Sequence, residues 1–184
     1  MTLMKTLEIT HADQLWKWLS DNHALEQSIR LVTWKAKHPE KYVGREEVLD
    51  ALIAHGWIDG RRFVVDESRT AQLITARQQQ AWSKSYKDRV IRLRSENRMH
   101  PAGEKRVEEG QASGLWDFFA DVDALIVPHD LAVGLDIQLW NELAPSYRRN
   151  VLRWIKTAKS QETRAARISK TQDATRHGER LKQM

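Results

Sequence analysis

The stretch Trp57-Ile58-Asp59-Gly60-Arg61-Arg62-Phe63-Val64-Val65-Asp66-Glu67-Ser68-Arg69-Thr70-Ala71-Gln72-Leu73-Ile74-Thr75-Ala76-Arg77 decides the fold. Two runs rich in β-branched and aromatic residues, 57–65 and 70–77, flank Asp66-Glu67-Ser68-Arg69, a polar tetrapeptide without glycine but rich in turn formers. That pattern predicts a β-hairpin over about 57–77. Residues 28–36 alternate around Ile29, Leu31 and Thr33 on one side and Arg30, Val32 and Trp34 on the other, which predicts a further strand. Around these strands the spacing is helical. Ala12, Leu15, Trp16 and Leu19 predict an amphipathic helix over 11–21, opened by a capping box at Thr10-His11-Ala12-Asp13. Val48, Leu49, Leu52 and Ile53 form a second stripe that Gly56 closes. Ser85-Tyr86-Lys87-Asp88 reads as another capping box, opening a helix to about Arg98, and Pro101 and Gly114 bracket one more.

Beyond Pro128, residues 131–143 predict one or two short helices, and Pro145-Ser146 opens a helix with Tyr147, Val151, Trp154, Ile155 and Ala158 on its inner side. From Ser160 apolar residues thin to Ala165, Ala166 and Ile168, so a continuing basic helix is expected to be held by propensity and charge pairs and to fray by His177-Gly178. The expected fold is α+β: a mostly helical single domain over 1–175 with a small antiparallel sheet, a basic C-terminal helix and a frayed basic tail over 176–184.

Composition narrows the function classes. With 41% hydrophobic and 30% charged residues, 184 residues suffice for a core without staples. Residues 1–10 carry no apolar stretch of a secretory signal, and no apolar run approaches membrane-spanning length, so a cytoplasmic location is expected. The absence of cysteine excludes disulfides, thiolate metal sites and cysteine nucleophiles. The seven histidines show neither His-x-x-x-His nor His-Glu-x-x-His spacing, so neither a metal nor a cofactor is expected, and no Walker loop, dinucleotide fingerprint or Gly-x-Ser-x-Gly elbow occurs. Charge is uneven. Residues 145–184 hold 11 Lys/Arg against 3 Asp/Glu, a net of +8, which leaves −3 for residues 1–144 out of the total of +5. Such a tail points to an anionic partner, or else to a solvated helix.

Four segments carry a family resemblance: Gly56-Trp57-Ile58-Asp59-Gly60; Arg77 followed by Trp82-Ser83-Lys84; Met99-His100-Pro101-Ala102-Gly103; and Ala158-Lys159-Ser160-Gln161-Glu162-Thr163-Arg164-Ala165-Ala166-Arg167-Ile168. In series, from Trp16 to Ile168, they resemble the YdeI/OmpD-associated, or bacteriocin-protection, family. The resemblance implies an α+β domain of bacterial origin and protection against bacteriocins or antimicrobial peptides, and it supplies no reaction. Around the second hairpin strand the family usually reads Pro-Arg-x-x-Ser-x-Trp-Ser-Lys-x-Asn. Here Ala76 stands for the Pro, Gln80 for the Ser and Tyr86 for the Asn, so relatives' ligand contacts need not carry over. Gly110, where alanine is expected, reads as a small loss of helix propensity.

Two groups of residues are candidates for function. The hairpin gathers Trp57, Asp59 and Arg77, with Trp82, Ser83 and Lys84 just beyond; indoles beside a carboxylate, a guanidinium and an ammonium could hold a small anionic or zwitterionic ligand, or serve an enzyme with Asp59 as base and Arg77 and Lys84 as anion clamps. The same residues equally describe a packed core around a buried Asp59–Arg77 pair. The basic surface of Arg153, Lys156, Lys159, Arg164, Arg167 and Lys170 could hold nucleic acid nonspecifically, or a protein partner, while a helix docking Arg164 and Ile168 onto the body explains part of it as well. The sequence assigns no catalytic residue and leaves the oligomeric state open.

Overall fold

The computed structural model describes residues 4–181. Within the stretch expected to form one domain, residues gather into two compact units, one up to Asp117 and one from Phe118 on.

The first unit holds a four-stranded sheet in the order β1-β2-β4-β3, made of β1 (Thr6–Glu8), β2 (Ile29–Trp34), β3 (Trp57–Val64) and β4 (Arg69–Ala76). The expected hairpin is β3–β4, with Trp57 opposite Ala76 and Val64 opposite Thr70 and a bulge between Asp59 and Arg62. Its turn is built by Asp66. The Asp66 carboxylate accepts hydrogen bonds from the backbone N–H of Ser68 (2.8 Å) and Arg69 (2.7 Å) and from Arg69 Nε (2.9 Å), and these donors hold its pKa down at about 2. The predicted strand 28–36 is β2, antiparallel to β4. The sheet is not purely antiparallel, because the short β1 pairs with β2 in parallel.

Helices α1 (Ala12–Asp21) and α2 (Arg45–Ala54) pack on this sheet, burying Leu15, Leu19, Val48, Ala51 and Leu52 among Ile29, Leu31, Trp57, Ile74 and Ala76. Gln14, not Asp13, closes the start of α1, its Oε1 accepting from Thr10 N (2.7 Å) and His11 N (3.2 Å). Helix α3 (Lys84–Ser95) begins earlier than Ser85-Tyr86-Lys87-Asp88 suggested, with Ser83 as N-cap. Arg89 and Arg92 of α3 both donate to Asp50 of α2, Arg92 Nη2 at 2.5 Å; burial alone would raise that carboxyl, but these donors hold it below the usual range.

Helix α4 (Pro101–Ala112) approaches α2 closely, His100 N–H donating to Ala54 O at 3.0 Å. Gly103 permits this, for a Cβ there would overlap the Ala54 carbonyl.

The second unit comprises α5 (Ala120–Asp123), α6 (His129–Ala132), α7 (Ile137–Glu142), α8 (Pro145–Lys156) and α9 (Gln161–Arg176). Against the expectation of one continuing helix, the chain breaks between α8 and α9, where Ser160 Oγ accepts from Thr163 N at 3.1 Å as an N-cap. Nor is α9 held by propensity alone: Ile168, Thr171 and Thr175 are buried, and Gln172 Nε2 donates to Leu131 O at 3.0 Å. Beyond α9 the chain turns at Gly178, and Leu181 N–H donates to the Tyr147 hydroxyl at 2.9 Å. Residues 182–184 of the expected frayed tail lie outside the described residues.

Replacing Gly103 with alanine forces α2 and α4 apart. Urea unfolding is expected to show a loss of about 1–3 kcal/mol at unchanged m-value, whereas a loss under about 0.5 kcal/mol would contradict the close approach.

Candidate functional site

Three members of the hairpin group are buried. Trp57, Arg77 and Trp82 are each at most 2% exposed. The Arg77 guanidinium lies 3.7 Å from the Trp82 ring centroid, and its Nη2 donates to Gln80 O and Ala81 O, both at 2.9 Å. Nε and Nη1 of Arg77 have no hydrogen-bond partner among the described residues, and burial lowers its pKa to about 10, so it stays charged at neutral pH. The expected alternative of an Asp59–Arg77 pair is not formed: Asp59 accepts from the Tyr86 hydroxyl, while the Tyr86 ring stands 5.5 Å from the Arg77 guanidinium. Burial and the Asp59 carboxylate push the Tyr86 phenol upward. Tyr86, standing where the resembled family has Asn, thus supplies the contact that sequence reasoning gave to Arg77. Ser83 occupies the N-cap position of α3 and Lys84 pairs with Asp88 at 2.7 Å on the surface, so Lys84, considered as an anion clamp, is held apart from the buried Arg77. Gly110, read as a loss of propensity, is the position over which the Trp82 indole packs; a Cβ there would overlap Nε1.

Arg77 therefore works as a clamp on the loop from β4 to α3. Arg77→Ala removes two charge-assisted hydrogen bonds and is expected to cost about 2–4 kcal/mol after relief of its burial, with Arg77→Lys recovering less than half because an ammonium neither stacks nor forks. An alanine variant within about 0.5 kcal/mol of wild type in urea unfolding would contradict the clamp.

The basic surface is largely spent within the second unit. Arg164 grips Asp130 with Nε (2.7 Å) and Nη2 (2.9 Å), Arg167 donates to Trp154 O and covers that indole, Lys156 pairs with Asp121 at 2.6 Å, and Arg153 lies over Phe119. This is the docked-helix alternative for Arg164 and Ile168. Lys159 and Lys170 remain on the exposed face of the chain. A groove of about 570 Å³ runs along α6 and α9, lined by Asp130, Val133, Arg164, Ala165, Ile168 and Gln172.

The cleft that sequence reasoning missed lies in the first unit. His23, His55 and His100, distant in sequence, lie in series, His100 stacked on His55 with ring centroids 5.0 Å apart and tilted against His23 at 4.9 Å. With Ala24, Pro101, Ala102, Lys105 and Arg106 they line a cavity of about 400 Å³ that no carboxylate lines. Each imidazole also serves a helix end. Nδ1 of His55 bonds to Ala51 O and Nδ1 of His23 to Ser20 O, both at 2.8 Å, while Nδ1 of His100 accepts from Ala102 N–H at 3.1 Å at the start of α4. A usable signal existed, since each histidine adjoins a helix boundary: after Asp21-Asn22, before Gly56 and before Pro101. His55, 4% exposed, has no hydrogen-bond partner for Nε2 among the described residues. Trp16 meets its ring edge-on, and Arg98 lies over Trp16.

Comparison with known families follows the division into units. Residues 7–106, more than half the chain, match a family described as a domain of unknown function (DUF8412). The chain belongs to this family. Residues 124–178 match the family described as bacteriocin-protection, YdeI or OmpD-associated, in agreement with the resemblance. Of the four segments that carried that resemblance, the one over 158–168 lies within this second match and the other three lie within the first. No curated protein and no solved structure matches the chain.

Burial lowers the pKa of both His55 and His100 below the ordinary 6.5, helped for His55 by His100 and His23 and for His100 by His23. As pH falls below about 6.5 the unfolded chain takes up protons that these folded imidazoles resist, so the stability they contribute is present above that pH and is lost on acidification. His55→Gln and His100→Gln are expected to flatten the fall in urea midpoint between pH 7.5 and 5.5 relative to wild type. An unaltered pH dependence in both variants would contradict this.

Proposed function

We propose that this is a non-catalytic protein of the bacteriocin-protection type that works in the cytoplasm by binding a small anionic ligand in the cleft of His23, His55, His100, Lys105 and Arg106. One observation carries the reading: five side chains able to bear positive charge converge on one cavity and no acid lines it. Of the neighbouring acids, Glu104 is engaged by Arg94 (2.5 Å), while Glu109 pairs with Arg106 (2.7 Å) and takes up part of that guanidinium's charge, so the weight falls on the three imidazoles and Lys105. The field in the cleft therefore favours an anion, and its volume lies at the small end of metabolite sites. The match over 124–178 supports the bacteriocin-protection type, and the lack of cysteine fits a reducing compartment. Among the described residues no helix is long and apolar enough to cross a membrane.

The groove along α6 and α9 serves this reading less well, because its one guanidinium is held bidentately by Asp130. Polyanion binding through the C-terminal helix is weakened likewise, with Lys156, Arg164 and Arg167 engaged inside the unit. Deleting the gene is expected to lower survival under bacteriocin or cationic-peptide challenge. Wild type supplied in trans restores survival and a His55→Gln/Lys105→Ala double variant, expressed at equal level, does not. Unchanged survival on deletion, or full rescue by the double variant, would overturn the proposal.

A further inference from the structure

We infer that the ligand of the histidine cleft is a phosphate-type oxyanion and that it enters together with protons taken up by the imidazoles. This rests on the reading of the cleft as the ligand site and specifies its chemistry. Each helix end occupies one ring nitrogen and leaves the other. His55 and His23 place Nδ1 against carbonyl oxygens, so Nδ1 carries the hydrogen and the neutral ring keeps a lone pair at Nε2. His100 accepts at Nδ1, so its hydrogen sits on Nε2. The neutral cluster offers an anion one imidazole N–H. Adding protons at Nε2 of His55 and His23 creates two further donors and disturbs no existing hydrogen bond. A proton on His100, in contrast, would have to displace the bond from Ala102 N–H.

The surroundings of each element decide the balance. His55 sits at the C-terminal end of α2, where the helix carbonyls and its bond to Ala51 O favour an imidazolium, and His23 lies just past the end of α1. Opposing protonation are the burial of His55, the other two imidazoles, Lys105 and Arg106 of α4, and Arg98 behind Trp16. Of the acids near the three histidines in sequence, Asp21 pairs with Lys17, Asp50 with Arg89 and Arg92, Glu96 with Arg92 and Arg98, Glu104 with Arg94 and Glu109 with Arg106, and Asp59 accepts from Tyr86; Glu26 is exposed and lines a neighbouring hollow with Arg106 rather than the cleft. An oxyanion supplies the negative charge that the cluster lacks, and so favours the protonated rings. At the start of α4 the N–H groups of Ala102, Gly103 and Glu104 already bond to His100, so that helix contributes its dipole and no free donor. A planar carboxylate presents its acceptor sites in one plane; three Nε2–H groups with Lys105 suit the tetrahedrally arranged oxygens of a phosphate monoester, whose organic part would rest on Ala24, Pro101 and Ala102.

Sulfate tests this, because it does not titrate in the histidine range. The full chain, with its imidazole Cε1–H resonances assigned by single His→Gln variants, is titrated by NMR from pH 8 to 5 with and without sulfate, and with acetate as the carboxylate arm. Sulfate is expected to raise the apparent pKa of His55 by about 0.5–1 unit and to bind about three- to tenfold more tightly at pH 5.5 than at pH 7.5. Lys105→Ala, at an exposed position, is expected to weaken sulfate binding at both pH values while leaving it tighter at pH 5.5 than at pH 7.5. Sulfate bound equally at both pH values with His55 unmoved would overturn proton coupling while leaving an anion site. Acetate matching sulfate would overturn the oxyanion class. Neither anion perturbing any of the three histidines would overturn the inference together with the reading of the cleft itself.

Discussion

The close approach of α4 to the end of α2 is the constraint on which the first unit depends. His100 N–H meets the Ala54 carbonyl at 3.0 Å, and Gly103 leaves no side chain to hold the helices apart. Because α2 also packs on the sheet and ends at His55, this single junction brings the C-terminal end of one helix and the N-terminal end of another to the same place. The end of α1 adds His23. Helix ends expose unpaired carbonyl and N–H groups, and here imidazoles satisfy them, one nitrogen each. The other nitrogen is what a cleft can use.

The hairpin was legible in the sequence because period-two patterning over two long runs and a turn tetrapeptide agree, and Asp66 does within the turn what its side chain does in isolation. β1 was not legible. Three residues carry no period, and Thr6–Glu8 gains its order from pairing with β2. The break between α8 and α9 was marked by Ser160, but helix propensity on both sides hid it.

The hairpin residues were found, but their partners were not. The pairing of β3 with β4 was legible, but the register sets Asp59 opposite Ile74 and not beside Arg77, and the choice of Tyr86 as the partner of Asp59 depends on how α3 lies, which a local pattern does not contain. The histidine cleft was hidden for the same reason: residues 23, 55 and 100 share no spacing, and only tertiary packing brings their rings together. Conversely, the net charge of the C-terminal stretch was plain, yet charge counted along a chain overstates what a surface offers. Arg164, Arg167 and Lys156 spend their donors on Asp130, Trp154 and Asp121. The basic helix is to that extent a structural element, while the cleft proposed to hold an anion has no acids in its lining.

The most direct measurement is a crystal structure of the protein soaked near pH 6 in selenate, located by its anomalous scattering. An anion centred among the three imidazoles, within hydrogen-bond reach of His100 Nε2 and of Lys105, is the predicted result. Selenate bound elsewhere on the surface at high occupancy, with the cleft holding none, would contradict it.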